Sequence, residues 1–436
     1  MTAHPFINDL QGAELIARTG RVRRVLPTYV EADGPAVPRG SLCRIETGPT
    51  TSCLAEVVSV HRDSVVLAPF DDKLPAFAGA RVTACVEAAT VPVGDAFLGR
   101  ALDALGRPID GLGPIRAEER TPLQGMPSSP LERVSPTKVL ETGIRAIDGL
   151  LTLGHGQRVG LFAASGVGKT SLMAQLAQQV EVDRCVVCLV GERGREVEAL
   201  WSHGLSPEAK AKTTLVAATS DETAAMRARA VDYALALADH WRNRGLNVLL
   251  LLDSTTRLAM ALREIGLAAG EPPTVRAYTP SVFAAIPKLV ERCGALKSGG
   301  SITAIMTVLS ETDDIDDPVS EMMKSLLDGH IILSRSLAEK GHFPAIDVPR
   351  SISRLATSLM TGAQKADAMR AIQLLSTYES SRTLIEAGIY ARGSDADIDR
   401  AIDKRAALGE FLRQDQGERI PYGRTQAALS TLVGAG

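Results

Sequence analysis

Aromatic residues are scarce in this 436-residue chain, where Phe, Trp and Tyr together make up 4%. Stacking platforms of the kind that line single-strand nucleic-acid channels are therefore hard to build. An excess of one charge is missing too, because 48 Lys and Arg face 51 Asp and Glu for a formal net charge of −3. That balance supplies no overall attraction to nucleic acid or to an acidic membrane surface. No apolar run reaches the eighteen or so residues that cross a bilayer, and the opening "MTAHPFINDLQGAELIARTG" lacks the basic start and apolar stretch of a secretory leader. We read a cytosolic protein. The six cysteines (43, 53, 85, 185, 188 and 293) include one close pair, in the apolar run "CVVCLVG". Strand geometry turns residues three apart to opposite faces, which argues against a disulfide or a metal site there. The seven histidines show no ligand spacing.

What is present is apolar material, 45% of residues, enough to bury the cores of two to four domains. Residues 1–19 carry Phe6, Leu10, Ala13 and Ala17 at helical spacing after Pro5, which predicts a short amphipathic helix. Over residues 20–91 the pattern becomes short β-branched runs, such as "CLAEVVSV" and "DSVVLAPF", broken by turn residues. A small β-barrel fits that pattern. Residues 92–355 alternate apolar runs ("QRVGLFAA", "RCVVCLVG", "TTLVAATS", "LNVLLLLD", "SITAIMTVL", "GHIILS") with helical segments, which predicts an α/β core with a parallel sheet. Strand signals then stop, and residues 356–436 read as a helical C-terminal domain.

The chemistry concentrates in "AASGVGKT", residues 163–170, which matches the phosphate-binding loop G-x-x-x-x-G-K-[ST] except that Ala163 replaces the first glycine. It follows a strand-like run and enters a helix, the arrangement the motif needs. Gly166 and Gly168 can take positive φ and turn backbone N–H groups toward a phosphate, while the helix N-terminus adds its dipole. Lys169 would neutralise the β and γ oxygens, and the Thr170 hydroxyl would ligate Mg²⁺. Ala163 ends the strand before the loop turns, where extended backbone accepts alanine. Hydrolysis also needs a second carboxylate on the magnesium side and a group that orients water. Asp253, closing "NVLLLLD", serves the first need, the alternative being a cap for the following helix. Glu192, in "VGERGRE", serves the second, against the alternative of an ordinary surface glutamate.

With these residues in place, the chain resembles the ATPases of type III protein export, most closely the flagellar export ATPases, relatives of the catalytic subunits of rotary ATP synthases. The similarity runs through "GRALDALGRPIDG" (99–111), "ETGIRAIDGLLTLGHGQRVGLFAASGVGKTSL" (141–172), "VGERGREV" (190–197), "LLLLDSTTRLAMALREIGLAAGEPP" (249–273) and "LDGHIILSRSLAEKGHFPAIDVPRSISR" (327–354). The resemblance implies a RecA-like P-loop core that uses ATP and Mg²⁺. It makes Ser165, Gly166, Val167, Gly168, Lys169, Thr170 and Ser171 the ATP-binding loop and Glu192 the catalytic glutamate. It aligns Arg193 and Arg257 with arginines near the γ-phosphate, and Glu196 with an acidic residue beside the magnesium waters. Phe343, in "HFPAID", aligns with an aromatic that stacks on adenine, the alternative being a core phenylalanine. Arg354, in "SISR", aligns with an arginine finger that enters the neighbouring subunit's site, a residue that spacing alone would leave as a surface ion-pair partner.

Several departures stand out. "RAYTPSVF" (276–283) has Ala277 and Thr279 where the family leads us to expect glycine and proline. The segment before Gly20 is short for a helix that docks a stalk-like regulator.

The resemblance also implies a homohexamer, a stalk-like regulator, a membrane-embedded export gate, and export substrates with their chaperones as partners. It implies cytoplasmic residence with peripheral association at the inner membrane. The acidic stretch "SETDDIDDP" (310–318) tilts the reading toward flagellar rather than injectisome export. Two other classes compete. A non-catalytic nucleotide-binding scaffold would lack Lys169 or Glu192, and both are present. A hexameric nucleic-acid motor also pairs a β module with such a core, but the scarcity of aromatics and of net positive charge weighs against it. The expected outcome is that ATP turnover is unchanged by added single-stranded RNA. A several-fold rise in phosphate release with RNA would restore the nucleic-acid motor.

Overall fold

The computed structural model describes residues 17–71, 76–85, 90–117, 119–125, 129–309 and 317–434. The helix expected before residue 17 and the acidic stretch at 310–316 lie outside these residues.

Six strands form the N-terminal module: β1 (Thr19–Val25), β2 (Val30–Ala32), β3 (Leu42–Glu46), β4 (Ser52–Val60), β5 (Val65–Pro69) and β6 (Arg81–Ala84). They close in the order β1-β2-β5-β4-β3-β6, antiparallel throughout, so no edge is left to pair elsewhere. The inside is filled by small and β-branched residues such as Val30, Ala32, Ile45, Ala55, Val57 and Val82. Register shifts at Val22/Arg24 and Val57/Ser59 supply the local twist that bends so short a sheet into a cylinder.

The core sheet contains β7 (Ala101–Leu102), β8 (Arg158–Ala163), β9 (Arg184–Val190), β10 (Thr213–Ala218), β11 (Asn247–Asp253), β12 (Ser301–Leu309), β13 (Gly329–Ile332) and β14 (Ile352–Ser353). Their order is β14-β13-β8-β12-β11-β9-β10-β7, parallel except for the edge strand β14. Each of the apolar runs read as strands from the sequence is a strand here. In β9 and β10 nearly every residue is buried, which is what a parallel sheet covered on both faces requires. Cys188 faces one hydrophobic core and Cys185 the other, and both thiols are free. Burial pushes the Cys185 thiol up to about 12, so it stays protonated.

Around the sheet pack α1 (Arg145–Leu150), α2 (Lys169–Gln179), α3 (Gly194–His203), α4 (Ala224–Asn243), α5 (Thr255–Ala268), α6 (Pro280–Arg292) and α7 (Pro318–Leu326). The long α4 buries Tyr233 and Trp241 completely. Their polar atoms are not stranded: the Tyr233 hydroxyl donates to Pro92 O (2.9 Å) and Trp241 Nε1 donates to Asp95 Oδ1 (2.8 Å). These two bonds fasten the segment that leaves the barrel to the back of the sheet.

Three helices complete the chain: α8 (Gly362–Glu386), α9 (Ala396–Leu412) and α10 (Tyr422–Gly434). Thr361 and Gln364 form a capping box at the start of α8, and the Asp395 side chain caps α9. Ala371, Leu375, Leu408, Phe411 and Leu429 join the core cluster that also holds α1 and α2. The Phe411 ring lies so close to Gly149 that a Cβ there would sit 3.2 Å from it. The helical domain is thus packed directly against the nucleus of the α/β core.

The departure at 277 has a physical correlate. Arg276 and Ala277 have φ of 52° and 59°, the left-handed region where glycine is at ease and alanine is strained by about 1–2 kcal/mol. At 279, buried Thr279 packs on Gly266, its Oγ1 sharing a hydrogen bond of 3.0 Å with Ser281 Oγ. Replacing Ala277 by glycine should raise stability by about 0.5–1 kcal/mol, the relieved strain less the greater freedom of unfolded glycine. Urea denaturation of the A277G variant tests this, and a lowered midpoint at unchanged slope would contradict it.

Candidate active site

The loop that leaves β8 is built as the motif demands. Ala163 is buried and paired with Leu309 in the sheet, so it belongs to the strand and has no need of glycine's freedom. Gly166 and Gly168 then take φ of 80° and 91°, conformations that turn successive amides toward one point. Val167, fully buried, anchors the loop between them into the core, while Ser165 and Thr170 are exposed and Ser171 half-buried. Gly168 is the cap residue of α2 and offers no side chain to its first amides, which leaves them free for an anion.

Two carboxylates converge on the first residue of that helix. Lys169 Nζ lies 2.6 Å from Asp253 Oδ1 and 3.2 Å from Glu192 Oε1. Asp253 closes β11 and Glu192 follows β9, so neighbouring parallel strands carry both carboxylates to the carboxyl edge of the sheet, where α/β folds bind their ligands. Thr307 Oγ1, on β12, donates to the same Asp253 oxygen at 2.6 Å. Burial alone would depress the Lys169 ammonium, but Asp253 and then Glu192 outweigh it and hold it above its ordinary value, so it remains a cation. Burial pushes the Asp253 carboxyl upward, against the opposing pull of Lys169 and Thr307.

The alternatives left open by the sequence can now be weighed. Ser254, rather than Asp253, caps α5: its side chain accepts from Arg257 N at 3.2 Å. Glu192 is 9% exposed, which removes it from the class of ordinary surface glutamates. Phe343 is no core residue, since it is 46% exposed and its ring lies over the loop, 3.4 Å from where a Cβ on Gly168 would stand. Arg257 lies across Gly191, whose φ of 68° and lack of a side chain leave room for it. Its Nε is buried and has no hydrogen-bond partner. A buried guanidinium N–H without an acceptor is costly, and an oxygen-rich anion beside the loop would satisfy it. Arg193, exposed, holds the N-cap position of α3 without a side-chain bond to it, and Glu196, half-buried, stands in its first turn.

Arg354 is elsewhere. Register carries Ser353 to Gly329 on β13, and β13 to β8 with His330 beside Gly160. Arg354 therefore stands level with the start of β8, roughly 16 Å of strand away from the phosphate loop. It is exposed on the sheet edge, where its Nη2 donates to Lys324 O at 3.1 Å. It cannot serve the site of its own chain.

Sequence reasoning missed Thr307 and Gln414. Gln414, buried after α9, takes the Arg145 amide on its Oε1 (2.8 Å) and gives its Nε2 to Gly143 O (2.6 Å) and Glu418 O (2.7 Å). Its backbone N–H donates to Phe343 O at 2.9 Å, so the helical domain supports the aromatic beside the loop. A threonine inside an apolar strand and a glutamine after a helix carry no local signal of such roles.

The donor set suits Mg²⁺. Thr170 and Asp253 offer hard oxygens beside the loop, the ligand type Mg²⁺ takes while it keeps several waters and completes its shell with substrate phosphates.

Known proteins share this architecture. Residues 143–353 match the model of the ATP synthase alpha/beta family, nucleotide-binding domain, and residues 360–431 match that of the T3SS EscN ATPase C-terminal domain. The chain is 44% identical to the flagellum-specific ATP synthase of Treponema pallidum (strain Nichols), over 98% of this chain and 95% of that protein. It is 43% identical to the type 3 secretion system ATPase of Xanthomonas euvesicatoria, over 95% of this chain and 94% of that protein. Among solved structures, the assembled ATPase EscN of enteropathogenic E. coli superposes with a TM-score of 0.89 at 38% identity, covering 95% of this chain and all of that one. EscN in complex with its central stalk EscO gives a TM-score of 0.87 at the same identity and coverage.

Replacing Phe343 by alanine should weaken binding of a fluorescent ADP analogue about tenfold, the scale of one base–aromatic stack of roughly 1–3 kcal/mol. Unchanged affinity in an equilibrium titration would remove Phe343 from the binding surface.

Proposed function

The chain belongs to the family of flagellum-specific ATP synthases and type III secretion ATPases, and from that premise we propose that it hydrolyses ATP to energise flagellar type III protein export. The observation that carries the chemistry is the Lys169 ammonium held between Asp253 and Glu192 at the end of a glycine-turned loop. Lys169 binds the β and γ oxygens of ATP, and the amides of Gly166 to Thr170 cradle them. As Lys169 turns to the phosphates, the Glu192 carboxylate is released to accept a hydrogen bond from the attacking water and orient it in line. Mg²⁺, held by the Thr170 hydroxyl and through Asp253, would neutralise charge on the phosphates. Arg257, with Arg193 beside Glu192, directs positive charge at the γ-phosphate, and Glu196 would order water around Mg²⁺. Phe343 holds adenine.

Arg354 makes the protein an assembly. A finger that stands at the far edge of its own sheet serves a neighbour, and a head-to-tail contact that closes is a ring. One chain carries both Glu192 and Arg354, so identical subunits suffice, and we assign a homohexamer with a site at each interface. The complex of EscN with EscO supports a stalk-like regulator as partner. Closure and release around the ring then load or unfold export substrates, delivered with chaperones, at a membrane-embedded gate. Among the described residues no helix is long and apolar enough to cross a membrane. Peripheral attachment to the cytoplasmic face follows as part of the same reading. A second reading, injectisome export, is favoured by the 43% identity to the Xanthomonas secretion ATPase, close to the 44% of the flagellar relative. Rescue of motility against rescue of effector secretion in the corresponding deletion strains separates the two.

Glu192→Gln should bind nucleotide as the parent does while losing at least about a hundredfold in turnover, and parental turnover would end its assignment. Arg354→Ala should cost roughly a thousandfold in the assembled state. Mixing Arg354→Ala chains with Lys169→Ala chains should recover part of the activity, because some interfaces then pair an intact loop with an intact finger. Failure of the mixture to exceed either variant alone removes Arg354 from the neighbour's site.

A further inference from the structure

Residues 413–421, the link between α9 and α10, touch two parts of the nucleotide site that lie far apart in sequence. At one end the Gln414 backbone N–H donates at 2.9 Å to the carbonyl of Phe343, whose ring lies over Gly168. At the other end is Gln179, the last residue of the helix that the phosphate loop opens. Gln179 is buried, and its Nε2 donates to Gln416 O (2.9 Å) and Glu418 O (3.0 Å). Its carbonyl adds a third tie by accepting from Arg419 Nε at 3.1 Å. Gln414 Nε2 donates to the same Glu418 oxygen at 2.7 Å. Glu418 O therefore joins the two glutamines, and through them α2 to Phe343.

The join is closely fitted. Gly143 takes φ of 75°, and a Cβ there would stand 2.7 Å from Arg419 Cγ and 3.3 Å from Gln179 Oε1. The Gly143 carbonyl accepts from Gln414 Nε2 (2.6 Å) and from Ile420 N (3.1 Å). Both glutamines thus commit their amide hydrogens to the link or to the turn it covers. The link has no regular structure of its own, so these side-chain amides set its path. The helix α2 is held by other means, with Leu172, Met173 and Leu176 buried in the core. Loss of the Gln179 side-chain bonds would therefore free the link and leave the phosphate loop in place. Gln179 stands roughly 15 Å along α2 from Lys169, too far to touch a nucleotide itself.

On the reading that Phe343 holds adenine, we propose that Gln179 and Gln414 are positioning residues for the base: they lock the 413–421 link so that Phe343 stands at a fixed place over the phosphate loop. The far end of α2 and the helical domain then set how much the base adds to nucleotide affinity. The full-length protein, with Mg²⁺, is titrated with ADP and separately with pyrophosphate, which carries phosphates and no base. Gln179→Met and Gln414→Met keep the side-chain volume and remove the amides. Each should weaken ADP about fivefold, most of what one base–aromatic stack supplies, and leave pyrophosphate affinity at the parental value. In a Phe343→Ala background neither should weaken ADP further, because no stack is left to misplace. Equal loss of ADP and pyrophosphate affinity would reveal a merely structural role and overturn the proposal. An undiminished loss in the Phe343→Ala background would do the same, as would parental ADP affinity in both variants. If Phe343→Ala itself binds ADP as the parent does, the adenine reading falls first and the positioning role with it. Should Gln414→Met fail to fold, Gln179→Met decides alone.

Discussion

A single buried ammonium organises this molecule. Lys169 must stay cationic at the rim of an apolar sheet, and it can do so because Asp253 and Glu192 arrive from two adjacent strands to within hydrogen-bond reach. That convergence requires β9 and β11 to be neighbours running the same way as β8, which in turn requires helical crossovers and a sheet buried on both faces. The long apolar runs of the sequence, the two cores on either side of the sheet and the position of the site are consequences of one electrostatic arrangement. Removing either carboxylate leaves the lysine partly unpaired in a desolvated place, whereas a phosphate can replace both.

Much of this was legible before any coordinates. The runs "QRVGLFAA" and "NVLLLLD" were recognisable as buried parallel strands from length and branching, and the glycines at 166 and 168 from the motif's need for positive φ. Asp253 and Glu192 could be proposed because each ends such a run. Their pairing with one lysine could not, since strand order is a tertiary property. Thr307 and Gln414 stayed invisible for the same reason: their partners lie far away along the chain, and neither residue type is unusual in its local setting. Phe343 shows the limit from the other side. Sequence allowed either a core position or a ligand platform, and only its exposure over Gly168 separates the two.

Alanine at 277 shows how a family expectation acquires physical content. The expectation of glycine there came from resemblance, yet the backbone itself explains why glycine would be at home, since φ is 59°. This chain keeps the turn and tolerates the side chain. Ala163 is the opposite case, a departure at a position where the backbone is ordinary strand and nothing is lost.

The site draws support from all three parts of the chain. The barrel is tied to the core through the segment that Tyr233 and Trp241 hold, and the helical domain reaches the exposed aromatic through Gln414. Arg354 alone points away. On the in-trans role proposed for Arg354, a copy adrift in the cell grips its fuel yet burns it slowly. A reserve of unassembled chains would then sit in a near-idle form, with little metabolic leak until neighbours meet.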